Sequence, residues 1–341
     1  MKEAIVSKGP KVQIQDSPIP EPGPEQLVIQ VVVSGSNPKD WKIPEWLNKT
    51  INTGDDIAGI VHSVGSRVYE FAPGDRVASF HEMMTPGGSY AEYAIGLQHT
   101  TFKIPREVSF EDAATIPLAA MTAAIGLHIR LKLPHPWTPA TSPIPLVVYG
   151  GASAVGAFAI KLASHANIHP IIAVAGRGTT YVETLLDRSK GDSIVDYRDG
   201  DSAVVKGLKE ALKGEKLWYA FDATSEKGSY TNIAQVLEPE GGKITLVLPG
   251  KEYEGIPKGV EQTITSVGGA HKGDSDFAFI YFRYLARGLE QGWFKPHPVE
   301  VAKGGLEGVE GALTNLKEGK ASAVKYVFRI ADTPGVKGAQ L

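Results

Sequence analysis

Residues 147–156, reading VVYGGASAVG, constrain this chain more than any other ten. An apolar stretch, 144–149, empties into a glycine-rich turn, and a helix of small residues, 154–166, follows at once. Glycine at such a turn lets backbone approach a ligand closely, and the helix N-terminus aims unpaired N–H groups and a positive dipole end at an anion. That order suits a pyrophosphate, and its usual setting is the first turn of a dinucleotide-binding unit. Gly151, Ser153 and Gly156 hold the three positions of the G-x-G-x-x-G pattern. Gly151, Ser153, Ala154, Val155 and Gly156 are the expected phosphate-binding residues.

Around that turn the pattern predicts strands at 146–149, 171–175, 193–196, 217–221, 243–248 and 262–267, with helices at 154–167, 181–189, 202–213 and 229–237. Alternation at this spacing implies a parallel sheet covered on both faces, and six strands complete a doubly wound unit. Residues 1–105 read as all-β, because β-branched runs such as 26–33 and 57–64 alternate with Pro/Gly-rich turns. Ser109 and Asp112 resemble a capping box, predicting a helix that runs through 119–131. Five prolines within 134–145 then predict a rigid connection. From 268 onward an amphipathic helix (276–292), a strand (299–302), a helix (306–318) and a strand (325–330) follow. The simplest topology is a β-rich domain, 1–121, interrupted by an α/β domain, 122–267, and completed by 268–341.

Composition narrows the function. A net charge of −3 gives no electrostatic case for a nucleic-acid partner. No run approaches the roughly 18 apolar residues a bilayer demands, and the N-terminus has no apolar targeting core. No membrane association and a cytoplasmic location are therefore expected. Cysteine is absent, which removes disulfides, thiol nucleophiles and thiolate zinc sites. None of the nine histidines pairs with another on a predicted helix, so no metal site is expected.

Several motifs occur together: Gly35-Ser-Asn-Pro-Lys-Asp40, Gly54-Asp-Asp-Ile-Ala-Gly59, Val64-Gly65, Gly74-Asp-Arg-Val77, Gly88-Ser-Tyr-Ala-Glu-Tyr93, Ala120-Met-Thr-Ala-Ala124 and the glycine turn. In this order they resemble the medium-chain dehydrogenase/reductase superfamily over essentially the whole chain. The resemblance implies an α/β fold: a GroES-like β-rich catalytic domain split by an inserted Rossmann domain with a doubly wound parallel sheet. Zinc alcohol dehydrogenases place a cysteine ligand where Asn37 stands and Gly-His-Glu where Gly54, Asp55 and Asp56 stand. Both ligands are missing here, as is the four-cysteine structural zinc lobe. The chain is similar instead to the zinc-free branch of quinone oxidoreductases and enoyl reductases. Its Asn37–Lys42 stretch most resembles fungal enoyl reductases that act in trans on polyketide synthases.

The second strand of the α/β domain runs into Gly176, Arg177 and Gly178 with no carboxylate before Glu183 to hold a ribose diol. Arg177 offers a forked cation suited to a 2′-phosphate, so NADPH is expected over NADH. By the resemblance, Tyr197 lies beside the adenosine phosphate, Leu248 and Pro249 pass under the nicotinamide, and Val324 and Lys325 close over it. Asn37, Pro38, Lys39 and Asp40 would hold the cofactor and its loop. Conjugate reduction needs hydride at the β-carbon, hydrogen-bond donors at the enolate oxygen and a proton for the α-carbon. Lys42 and Thr122 are the candidates for positioning the carbonyl. Tyr281, Phe282 and Tyr284 either line the substrate cleft or form a buried core face.

The implied substrate is an enone, a quinone or an enoyl thioester, the last carried by an acyl carrier protein of a polyketide synthase. Carrier proteins are acidic, so such a partner predicts a basic patch. A quinone or alkenal oxidoreductase would share every motif, as would a non-catalytic NADPH-binding interaction protein. Superfamily relatives dimerise through the edge of the nucleotide-binding sheet whereas trans-acting members resemble monomers, so monomer and homodimer both stand.

Overall fold

The chain opens with an antiparallel hairpin, β1 (Lys2–Ser7) and β2 (Lys11–Asp16). The computed structural model describes residues 1–337; residues 338–341, the end of the expected 268–341 segment, lie outside the described residues. Two compact units emerge, Met1–Met121 with Gly268–Leu341, and Thr122–Val267. In the first, β3 (Gln26–Gly35) is the longest strand, and its run of valines and isoleucines is buried almost continuously because strands pair on both edges.

A helix, α1 (Lys39–Leu47), interrupts the stretch expected to be all-β. Pro44 sits inside it, and an interior proline reads as a breaker, which hid the helix from the sequence pattern. The helix starts all the same because Asp40 Oδ2 accepts the Asn37 N–H at 2.7 Å and shapes the turn at Pro38. The barrel continues through β4 (Asp56–Val64), β5 (Arg76–Phe80), β6 (Tyr93–Leu97) and β7 (Thr101–Lys103). β3 pairs with both β4 and β6.

Ser109 caps α2 (Phe110–Ala113) by accepting the Asp112 N–H at 3.0 Å. The expected single helix then arrives in pieces: α3 begins anew at Pro117, runs to Ala124 and continues as a π-helical turn, Ile125–Arg130. By length and composition Phe110–Arg130 could cross a membrane, contrary to the expectation that no run approached that length. Within the protein 89% of its apolar window is buried, as in the core helix of a globular fold.

The second unit alternates strand and helix: β8 (Leu146–Tyr149), α4 (Ala154–His165), β9 (Ile171–Ala175), α5 (Thr179–Glu183), β10 (Ser193–Asp196), α6 (Asp201–Leu212), β11 (Tyr219–Asp222), α7 (Ser229–Ala234), β12 (Glu240–Leu246) and β13 (Gly259–Ile264). All six strands are parallel, in the order β10-β9-β8-β11-β12-β13. Counted within the unit this is 3-2-1-4-5-6, the doubly wound order, with its switch point between β8 and β11. Val147, Ile172, Val174, Ala220 and Ile244 pack with Val204, Leu208 and Ile233 of α6 and α7. The first three strands fall at their predicted positions, while β12 and β13 begin three residues earlier than predicted. α5 is five residues long, not nine, because Asp187 caps a separate 3-10 turn through the Ser189 N–H and hydroxyl.

The chain then completes the first unit with α8 (Ser275–Glu290), β14 (Val299–Val301), α9 (Val309–Lys317) and β15 (Lys325–Arg329). β15 lies antiparallel on β3 and parallel beside β14. Tyr281 and Phe282 are fully buried, and Phe282 stacks on Phe102 at 5.3 Å, so these two form core rather than a cleft wall. Tyr284 packs on Trp293, 4.9 Å between rings. Arg283 fastens α8 to the barrel through Glu70 and the carbonyls of Gln98 and Thr101.

Gly59 of β4 sets the spacing of the barrel, since a Cβ there would lie 2.1 Å from the Gln30 carbonyl oxygen on β3. Backbone cannot yield as a flexible side chain does. Gly59→Ala is expected to cost about 1–3 kcal/mol in denaturant unfolding; an unchanged midpoint would show that β3 and β4 can separate.

Candidate functional site

At the switch point the turn after β8 carries Gly150 in the left-handed region, φ +79°. A Cβ on Gly156 would lie 2.2 Å from the Gly150 carbonyl oxygen, so α4 can start this close to the turn only with glycine there. Ser153 Oγ accepts the Gly156 N–H at 3.0 Å and caps α4. Ser153, expected from sequence as a phosphate-binding residue, thus has its hydroxyl engaged as a cap. Gly150, one residue before the pattern, was missed; only the doubled glycine marked it. Ala154 and Val155 form the first turn of α4.

The neighbouring strand ends bring Gly176, Arg177 and Tyr197 together. Ala175 and Asp196 are in register across β9 and β10. The ring of half-exposed Tyr197 covers Gly176, where a Cβ would meet its Cζ at 2.5 Å. Arg177 is exposed beside them. Asp196, the nearest strand-end carboxylate, is engaged by Arg198 at 3.0 Å. Across the switch point, buried Asp222 accepts from the N–H groups of Thr224 and Ser225 and from the Ser229 hydroxyl at 2.6 Å. Burial pushes its carboxyl above the usual range. Sequence reasoning missed this residue, which orders the loop facing Gly150. Leu248 and Pro249 follow β12, with the Leu248 carbonyl held by the Tyr253 hydroxyl at 2.6 Å. Thr122 is buried on α3.

The first unit holds two linked clusters of buried polar groups. In one, Lys325 Nζ donates to Asp56 Oδ2 at 2.5 Å and to Asn37 Oδ1 at 3.2 Å. Asn37 Nδ2 also donates to Asp56 at 2.7 Å, and the other Asp56 oxygen accepts the Leu118 N–H at 2.7 Å. In the second, Lys39 Nζ lies 2.7 Å from Asp40 Oδ1, contacts Asp55 Oδ2 and donates to the Thr53 carbonyl. Asp40 Oδ2 accepts from Tyr90 at 2.6 Å and from the Asn37 backbone, which joins the clusters.

Burial alone would weaken the Lys39 ammonium, but Asp40 and Asp55 outweigh it and raise its pKa. Burial lifts Asp55 to about 7, with Lys39 opposing and Asp40 adding. It also raises Asp40, and it lifts the Tyr90 phenol well above its usual range.

These contacts redirect several expectations. The ammonium of Lys325, expected over the nicotinamide beside half-buried Val324, is committed to Asp56 inside its own unit. Asn37, Lys39 and Asp40 are tied to protein partners, and Pro38 stands at the helix start. Lys42 lies on α1 with Nζ 5.5 Å from the ring centroids of both Trp41 and Trp46. Tyr90, Asp55 and Asp56 belong to the clusters, a role sequence reasoning had not given them. The available signal was charge in apolar company, as with Lys325 at the head of an otherwise buried strand.

Residues 23–106 match the alcohol dehydrogenase GroES-like domain family. The trans-enoyl reductase fsr4 of Gibberella fujikuroi is 50% identical over 312 residues, covering 90% of this chain and 92% of that protein. Among solved structures, the CurK enoyl reductase superposes with TM-score 0.75 at 20% identity over 96% of this chain and 98% of its own. A quinone oxidoreductase of Pseudomonas syringae pv. Tomato DC3000 does so with TM-score 0.77 at 20% identity over 96% and 99%. The fold is that of the medium-chain dehydrogenases and reductases, oxidoreductases whose family implies a nicotinamide cofactor. Within them, this chain belongs to the trans-enoyl reductase family.

Asp55 makes stability depend on pH. Its carboxyl is raised in the folded state, so between about 4 and about 7 the folded protein binds more protons than the unfolded chain. The stabilisation from that proton is complete below about 4 and is lost as pH rises through about 7. Asp55→Asn is expected to flatten this fall and to raise the melting temperature at pH 8 by about 2 °C or more. Parallel pH profiles for variant and parent would remove Asp55 as the cause.

Proposed function

We propose that this chain is an NADPH-dependent, zinc-independent reductase of the C=C bond of α,β-unsaturated carbonyls. On this reading it acts on enoyl thioesters borne by an acyl carrier protein of a polyketide synthase. The observation that carries zinc independence is the pairing of Lys39 and Lys325 with Asp40, Asp55 and Asp56. Two buried ammonium groups sit among the carboxylates, and the donor set offers neither thiolate nor imidazole, which suits no zinc ion. Trans-enoyl reductase is the printed name of the half-identical relative, and it supports the reaction class.

The glycine turn suits a dinucleotide, because glycine brings main chain close against main chain directly before the N-terminus of α4. Gly151, Ser153, Ala154, Val155 and Gly156 would hold the pyrophosphate at the α4 N-terminus. Arg177 and Tyr197 would hold the adenosine phosphate, and Leu248, Pro249 and Val324 the nicotinamide end. Bound there, the cofactor supplies hydride to the β-carbon. Lys42 and Thr122 are the donors assigned to the enolate oxygen as charge gathers on it. Lys39, Asp40, Asn37 and Lys325 keep the surrounding backbone fixed through their buried contacts. A cytoplasmic location accords with this chemistry.

The test is NADPH oxidation with crotonyl-pantetheine, enones, quinones and ketones in the presence of a chelator. Reduction of the enoyl thioester is expected, and strict dependence on added zinc would overturn the assignment. Lys42→Ala is expected to lower kcat by about 10²-fold; unchanged turnover would remove that lysine from the mechanism. NADPH should bind at least about ten-fold tighter than NADH, with Arg177→Ala erasing most of the difference. Equal dissociation constants in the parent would refute the NADPH assignment.

A further inference from the structure

One face of the first unit departs from the chain's net charge of −3. It is formed by α1, the β1–β2 turn and the end of α9. Trp46 and Leu47, which close α1, are 52% and 51% exposed, and Asn48, Lys49 and Thr50 after them are exposed too. Glu45 beside them is held by Lys317 at 2.5 Å, and Lys317 also donates to the Gly9 carbonyl in the turn. The Lys317 hydrogen bond lowers the Glu45 carboxyl pKa, and Lys8 is close enough to add to the effect.

Lys8 and Lys317 thus both act on Glu45, and exposed Lys49 follows Leu47 closely in the chain. Two acids of α9 and its end are engaged by other lysines, Glu310 by Lys11 and Glu318 by Lys320. An exposed leucine alone would mean little. An adjacent tryptophan and leucine rimmed by cations is the arrangement of an anchor within a charged margin.

We propose that this face docks an acidic protein domain, the carrier that presents the enoyl group as a thioester. Trp46 and Leu47 seat against an apolar ridge of the partner, while Lys8, Lys49 and Lys317 meet its carboxylates and steer its approach. The inference rests on the enoyl thioester reading above and adds to it a site of engagement distinct from the cofactor cradle.

The experiment compares a crotonyl thioester on an acidic acyl carrier protein with the same group on pantetheine, using parent, Leu47→Ala, and Lys8→Glu with Lys49→Glu. The variants are expected to raise KM for the carrier-borne substrate by about ten-fold or more, to leave kinetics on pantetheine within about two-fold, and to blunt the salt dependence seen only with the carrier. Variants that change both substrates alike, or neither, overturn the docking face while leaving the reductase reading intact. A parent that reduces neither thioester overturns the reading of function, and the docking face with it. Cosedimentation of the parent with phosphatidylserine vesicles, lost in Leu47→Ala, would assign the face to lipid and refute a protein partner.

Discussion

The buried ion pair between Lys325 and Asp56 is the interaction on which the first unit depends. Its ammonium and carboxylate are almost wholly withdrawn from water, a state costly for either alone and tolerable only with complete pairing. The pairing is nearly complete: Asn37 contacts both partners, Thr115 offers its carbonyl, and the Leu118 N–H takes the second carboxylate oxygen. Asn37 passes the constraint to Asp40 through its backbone, and Asp40 passes it to Lys39 and Tyr90. Thus α1, β4 and β15 are fixed together by charge as well as by apolar contact. Removing one partner of such a pair typically costs about 3–5 kcal/mol, because the other is left buried and uncompensated.

The doubly wound unit is organised by backbone instead. Its sheet rests on unbroken runs of aliphatic residues, and its ligand-facing edge depends on where glycine lets main chain pass main chain. A side chain would strike backbone at Gly156, the Tyr197 ring at Gly176 and the Thr224 hydroxyl at Gly150, which also has φ in the left-handed region. Asp222 adds a buried carboxyl at that edge, and it serves loop N–H groups rather than another ion. The two units therefore meet the demands of polar burial differently: one neutralises charge with charge, the other with amide hydrogens.

Much of this was legible in the sequence, for identifiable reasons. The parallel sheet could be read because strand and helix periods alternate cleanly, and β8, β9 and β10 are apolar runs bounded by turn residues. The glycine turn could be read because its chemistry is local. What escaped was decided at a distance or by conflicting local signals. Pro44 disguised α1, Asp187 shortened α5, and Pro117 divided a helix that hydropathy alone shows as one. The contact of Lys325 with Asp56, 269 positions away in sequence, cannot be inferred from spacing. Tyr90 escaped for the same reason, its partner Asp40 lying 50 positions earlier.

That separation of 269 positions has a consequence for how the protein is made. Domains generally fold as units during synthesis, N-terminal segments first. The second unit is continuous in sequence, so all of its strands have been made before β15 is translated. The first unit is not: β3 waits for its β15 neighbour and Asp56 for its counter-ion until the chain is almost finished. On the ribosome the divided unit is thus the last whose strands and charges can all be paired, after the continuous unit has been made in full.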